Sequence, residues 1–244
     1  MINSFEKKID DLKFQLESGV SENIDLSVND FKKNTKPFSI DEQENNSLSE
    51  INNLSELKKY IEEYSGCSLK DTAKNTVFCD GNENSNIMII GEAPGNQEDI
   101  EGKPFVGKSG KLLDKILNFI NIDRNSCYIA NIIPWRPPGN RNPSSEELKT
   151  CLPFIKKHIN LAKPEILLLV GSISAKALLD TDLGITKLRG EWKIYKDGEL
   201  EIPTLPIFHP AYLLRRPTMK SLVMRDILLL KKKIKEVNKE IIND

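Results

Sequence analysis

Ile87-Met88-Ile89-Ile90-Gly91-Glu92-Ala93-Pro94-Gly95 is the stretch on which the fold turns. Four apolar residues in a row, with no polar alternation, read as a strand buried on both faces. The Gly/Pro segment behind them ends the strand and opens a loop. Tyr128–Ile133, Ile166–Val170 and Leu205–Phe208 are three further strand-like runs. Between them, Gly110–Ile120, Ser144–Leu161 and Ser172–Leu179 read as helices. Ser144 and Ser145 with Glu147 form an N-terminal cap signal on the second of these. Strands alternating with helices predict an α/β fold with a parallel sheet covered on both faces, its ligands at the strands' C-terminal ends. Trp192–Tyr195 and Leu200–Ile202 flank Lys196-Asp197-Gly198-Glu199, whose Asp-Gly is a hairpin signal. A last helix is expected from Thr218 to about Lys239, and another from about Ser49 through Tyr64, with Ile51, Leu54, Leu57, Tyr60 and Ile61 at helical spacing.

Outward from this core, 244 residues at 39% apolar composition suit one domain with an appendage. No run of 18 apolar residues exists, so a transmembrane helix is excluded. Met1–Val20 carries Glu6, Asp10, Asp11 and Glu17 and is not a signal peptide. Residues 1–60 hold 8 Lys/Arg against 12 Asp/Glu, while the remainder holds 27 against 24. Residues 1–48 are accordingly read as an acidic, partly disordered leader able to dock a repair or replication protein, and 49–244 as the working domain. A short amphipathic helix, Phe5–Leu16, is expected inside the leader. The mild positive balance of the rest permits a polyanionic partner. Four cysteines at irregular spacing are no disulfide framework and suggest a cytoplasmic home.

Each predicted strand ends in a distinctive loop. Gly91–Gly95 continues through Glu98-Asp99 to Gly102-Lys103-Pro104-Phe105-Val106-Gly107. Asn131 leads into Trp135-Arg136-Pro137-Pro138-Gly139-Asn140-Arg141, and the last loop is His209-Pro210-Ala211-Tyr212-Leu213-Leu214-Arg215-Arg216. Converging on one rim, they supply glycines for close backbone approach, two pairs of arginines, an aromatic and a histidine. That inventory fits a nucleic-acid groove with a pocket for one base. Arg136, Arg141, Arg215 and Arg216 are candidate phosphate contacts. His158, in Lys156-Lys157-His158, reads as a solvated helix residue. Gly102–Ser109 also matches the G-x-x-x-x-G-K-[ST] pattern of a P-loop NTPase, but eleven residues separate it from the strand end at Ile90. That motif needs a strand running directly into its first glycine.

Gly91–Gly107, Arg136-Pro-Pro-Gly-Asn-Arg141 and His209-Pro-Ala-Tyr-Leu-Leu-Arg215 resemble the signature blocks of family 4 uracil-DNA glycosylases, in order and spacing, from about residue 64 to residue 230. The resemblance implies a three-layer α/β/α fold around a four-stranded, mainly parallel sheet. It implies hydrolysis of the N-glycosidic bond of deoxyuridine in DNA, releasing uracil and leaving an abasic site. By matching positions, Phe105 stacks on the flipped uracil, Asn131 bonds its polar edge and His209 donates to the oxygen that gains charge. Ala93 and Gly95 line the pocket, and Glu98 and Asp99 shape its mouth or position water. The better-known uracil glycosylases carry an Asp where Ala93 falls, so Glu92 is the candidate for assisting water. The inserted basic loop of relatives that trap uracil-DNA covalently is missing.

Most members of the family hold a [4Fe-4S] cluster through four cysteines. This chain keeps Cys67 and Cys151 at two of those places, with Tyr64 and Trp135 at the other two. Cys79 and Cys127 lie elsewhere in the pattern. A cluster needs four thiolates with few exceptions, so none is expected here and Trp135 reads as packing. The expectation is therefore a monomeric, metal-free glycosylase. A non-catalytic DNA-binding or repair-scaffold module of the same fold is the alternative.

Overall fold

The computed structural model describes residues 48–243. The leader and its expected helix Phe5–Leu16 lie outside the described residues. Asn53 accepts a hydrogen bond from the Glu56 amide and so starts helix α1, Leu54–Glu63, a few residues later than the periodicity alone suggests. A short turn α2, Leu69–Thr72, leads to β1, Asp80–Gly81, and β2, Ile87–Gly91. Then come α3 (Asn96–Glu101), α4 (Lys108–Asn118), β3 (Tyr128–Asn131), α5 (Ser145–Ala162), β4 (Ile166–Val170), α6 (Ser172–Leu179) and α7 (Ile185–Leu188). The chain finishes with β5 (Lys193–Asp197), β6 (Leu200–Ile207), α8 (Pro210–Arg215) and α9 (Lys220–Asn243). Ser144 and Glu147 form a reciprocal capping box on α5, as their spacing predicts.

The strands make one sheet in the order β1-β3-β2-β4-β6-β5. Its four central strands are parallel. The expected count of four thus describes the parallel core, and two antiparallel edge strands complete the sheet. Two-residue β1 is too short to leave a periodic signal. The run 200–207 is one strand, not two, because its ladder passes through Pro203 opposite Ile194 on the edge strand β5.

Every residue of β2, β3 and β4 is buried, as expected for strands sandwiched between helices. Met88, Ile90, Leu167 and Leu169 share one core with Leu57 and Ile61 of α1 and Phe154, Ile155 and Ile159 of α5. The alternate residues Ile87, Ile89, Ile166 and Leu168 are buried on the other face, where α4 packs against α8 and α9. His158 corrects the sequence reading. It is buried, stacks on Phe78 at 4.4 Å between ring centres, and lies 2.6 Å from the Tyr128 hydroxyl. Burial pulls its pKa down to about 3, so it is neutral.

Candidate active site

Parallel pairing brings the ends of the central strands level. Gly91 pairs with Asn131, and Val170 with Ile207. From β2 the chain moves to β3 on one side, and from β4 to β6 on the other, so the sheet's switch point lies between β2 and β4. Glycines stand at the ends of both strands. A Cβ on Gly91 would come within 2.4 Å of Asn131 Oδ1 and 2.5 Å of Phe105 Cζ. Gly171, at φ +104°, lies against His209, whose Cβ would be 3.2 Å from any side chain placed there. The Phe105 and His209 rings are 5.8 Å apart, tilted by 31°. Phe105, Asn131 and His209 therefore come together from three separate segments, two loops and the end of β3, on the rim where the sequence places them. A cleft of about 490 Å³ at the other ends of the strands, beside Ile87 and Ile166, contains none of them.

His209 caps α8 by accepting a hydrogen bond at Nδ1 from the Ala211 amide, 3.1 Å away. Burial, aided by Arg215, lowers its pKa to about 4. The ring is thus neutral with its proton on Nε2, a donor that is ready at neutral pH. The Asn131 side chain is buried yet makes no hydrogen bond among the described residues, leaving its amide free to recognise a ligand. Glu92, the residue after β2, forms no ion pair among the described residues, and desolvation raises its pKa to about 7.

Phe105 adopts a left-handed backbone at φ +53°, unusual for a bulky residue. Behind it, Glu98 Oε1 accepts from the amides of Val106 (3.0 Å) and Gly107 (2.8 Å). Gly95 leaves room for that carboxylate, since a Cβ there would come within 2.7 Å of Glu98 Oε2. Asp99 is buried and accepts from the amides of Lys74 (2.8 Å) and Asn75 (3.2 Å). Both acids therefore brace the loops beside the site. The P-loop match fails on the same contact: Glu98 occupies amides that would have to wrap a phosphate, and α3 separates the segment from its strand.

The family model of the uracil DNA glycosylase superfamily matches residues 78–233. The chain belongs to the uracil-DNA glycosylase superfamily. It is 35% identical over 191 residues to the type-4 uracil-DNA glycosylase of Saccharolobus solfataricus, covering 76% of this chain and 87% of that protein. It is 33% identical to the type-4 enzyme of Sulfurisphaera tokodaii, with coverage of 77% and 86%. The Thermotoga maritima type-4 enzyme is 35% identical, with coverage of 72% and 92%.

In this superfamily member the four candidate arginines divide. Arg141 is bound through both terminal nitrogens to Glu147, at 2.8 and 2.6 Å. Arg136 bonds Asn140 Oδ1 (2.7 Å) and Asn96 Oδ1 (2.9 Å), tying two loops together. Arg215 and Arg216, at the C-terminal end of α8, are exposed. Ala93 packs against the hydrophobic core. Gly91, in a loop read from sequence as supplying glycines for close backbone approach, completes the site's framework with Gly171 and Arg124, which were not singled out. Gly171 could have been found as a residue ending a strand, whereas Arg124 reaches across the chain to backbone atoms, which no local pattern reveals.

The cysteine region does not fit the cluster of its family. Cys67 and Cys151 are neighbours, and their shared hydrogen bond lowers the Cys67 thiol to about 7 while raising Cys151. Tyr64 and Trp135 hold the other two places and stack on each other at 6.4 Å and 14°. Phe154 meets both edge-on. Trp135 is fully buried and donates to Thr76 Oγ1 at 3.0 Å. Cys127 donates to the Asp123 carbonyl, and burial raises its pKa to about 12, so it remains a thiol. Cys79 is likewise raised by burial. Two thiols beside a phenol and an indole cannot supply four thiolates.

Proposed function

We propose that this chain excises uracil from DNA by hydrolysing the bond between C1′ and N1 of deoxyuridine. The amide of the largely buried Asn131, unbonded among the described residues and beside Gly91 and Phe105, carries this reading. An asparagine accepts from N3–H of uracil and donates to O4, whereas cytosine presents the reversed pattern. A flipped base stacks on Phe105, which offsets part of the few kcal/mol that unstacking costs. As the bond breaks, its electron pair moves onto the departing base. The neutral His209 donates through Nε2 to the oxygen that gains this charge, worth about 3 kcal/mol on the scale of an oxyanion-hole donor. Water then adds to C1′, and Glu92, ionised above about pH 7, accepts its proton. Arg215 and Arg216 contact phosphates.

The aromatic packing of Tyr64, Trp135 and Phe154 supports a protein that works without an iron–sulfur cluster. Anaerobically purified protein should be colourless and free of stoichiometric iron; brown, iron-loaded protein would refute this. The activity is tested with end-labelled oligonucleotides bearing one U, alongside T and C controls, without ATP or metal, followed by alkali. Scission at U alone is expected. Folded protein that binds DNA tightly but cuts neither single nor double strands would leave the scaffold alternative standing.

A further inference from the structure

We infer that Arg124 is a positioning residue that fixes the Phe105 platform through its backbone. Arg124 opens a 3₁₀ turn, Arg124–Ser126, ahead of β3. Its Nη1 donates to the Pro104 carbonyl (3.1 Å) and its Nη2 to the Phe105 carbonyl, so two successive carbonyls share one guanidinium. Asp80 of β1 accepts from Nη1 at 2.6 Å and orients that group, and Asp114 of α4 lies within ion-pair distance, 3.2 Å from Nε. Lys103 adds a contact to Asp80 at 3.6 Å.

The peptide so held is the one in the left-handed conformation. A non-glycine residue stays there only when its surroundings over-determine it. Glu98 fixes the next two amides on one side. On the other, Gly110 of α4 closes in so tightly that a Cβ there would overlap the Phe105 carbonyl oxygen. The charged Arg124 guanidinium donates directly to that oxygen. Its fork therefore selects the carbonyl direction that turns the ring toward Gly91 and His209. Lysine cannot span both carbonyls while keeping Asp80 and Asp114.

This inference rests on the reading that Phe105 stacks on the base. The test is a double-mutant cycle of Arg124→Gln with Phe105→Ala, measured as single-turnover excision from a U-containing duplex, alongside melting temperature. Arg124→Gln should slow excision about 10- to 100-fold, the scale of a misplaced reacting group. In the Phe105→Ala background it should cost less than about 3-fold, because the platform it orients is gone. Equal losses in both backgrounds would overturn the inference and mark a general structural role. A Phe105→Ala variant of normal rate would instead refute the stacking reading itself. If Arg124→Gln does not fold, Arg124→Lys enters the same cycle, where full wild-type activity would equally overturn the proposal.

Discussion

The rim of the sheet and the aromatic block around Trp135 are built from similar materials and finished differently. In the block, every group is satisfied: Trp135 is enclosed by Tyr64 and Phe154 and its N–H has a partner. At the rim, the largely buried Asn131 keeps its amide unbonded to protein, Phe105 holds a strained backbone, and Glu92 is desolvated without an ion-pair partner among the described residues. Complete satisfaction is what a core needs. Incompleteness that the surroundings enforce is what a binding site needs, since a substrate can then supply the missing partner.

The contrast predicts which property each region controls. Trp135→Ala should cost about 3–5 kcal/mol in denaturant unfolding while changing excision per folded molecule little. A large loss of rate without loss of stability would erase the distinction. Asn131→Ala and His209→Ala should do the reverse, each slowing excision at least about 100-fold with little change in midpoint. Near-normal rates for both would remove them from the site.

Glu92 sharpens the comparison through pH. Its carboxyl titrates near 4.5 in an unfolded chain and about 7 in the folded one, so the folded state holds its proton more tightly. Stability from this group is full below pH 4.5 and is lost as pH rises through 7. Glu92→Gln should therefore stabilise the protein at pH 8, by roughly 1–3 kcal/mol. It should also remove the rise in excision rate centred near pH 7. An unchanged pH–rate profile would discard Glu92 as the base. The smallest effects separate the arginines. Arg215→Ala should weaken DNA binding a few-fold and reduce its salt dependence by about one counterion. Arg141→Ala should leave both unchanged and lower stability only slightly, as expected for an exposed ion pair.

Buried runs such as Ile166–Val170 made the parallel core legible in the sequence, because strands covered on both faces carry no polar alternation. The loops at their ends made the convergence of Phe105, Asn131 and His209 legible too. Illegible were roles settled by what a charged side chain meets in three dimensions. Glu98, Asp99 and Arg141 sit in segments that read as ligand-binding; α3 carries the two acids onto backbone amides, and Glu147 pairs with the arginine. His158 directly follows two lysines in the sequence, yet the turn of α5 carries it inward onto Tyr128.

Gly91 and Gly171 give the pocket a one-way relation to mutation. Where a side chain forms a wall, a smaller residue can enlarge the space and admit a bulkier base. Here two of the walls are main chain at residues that have nothing left to trim, so every substitution at either position subtracts room. Variation at these points can narrow or close the pocket but never widen it, and any broadening of its substrate range would have to begin at Phe105, Asn131 or the loops that carry them.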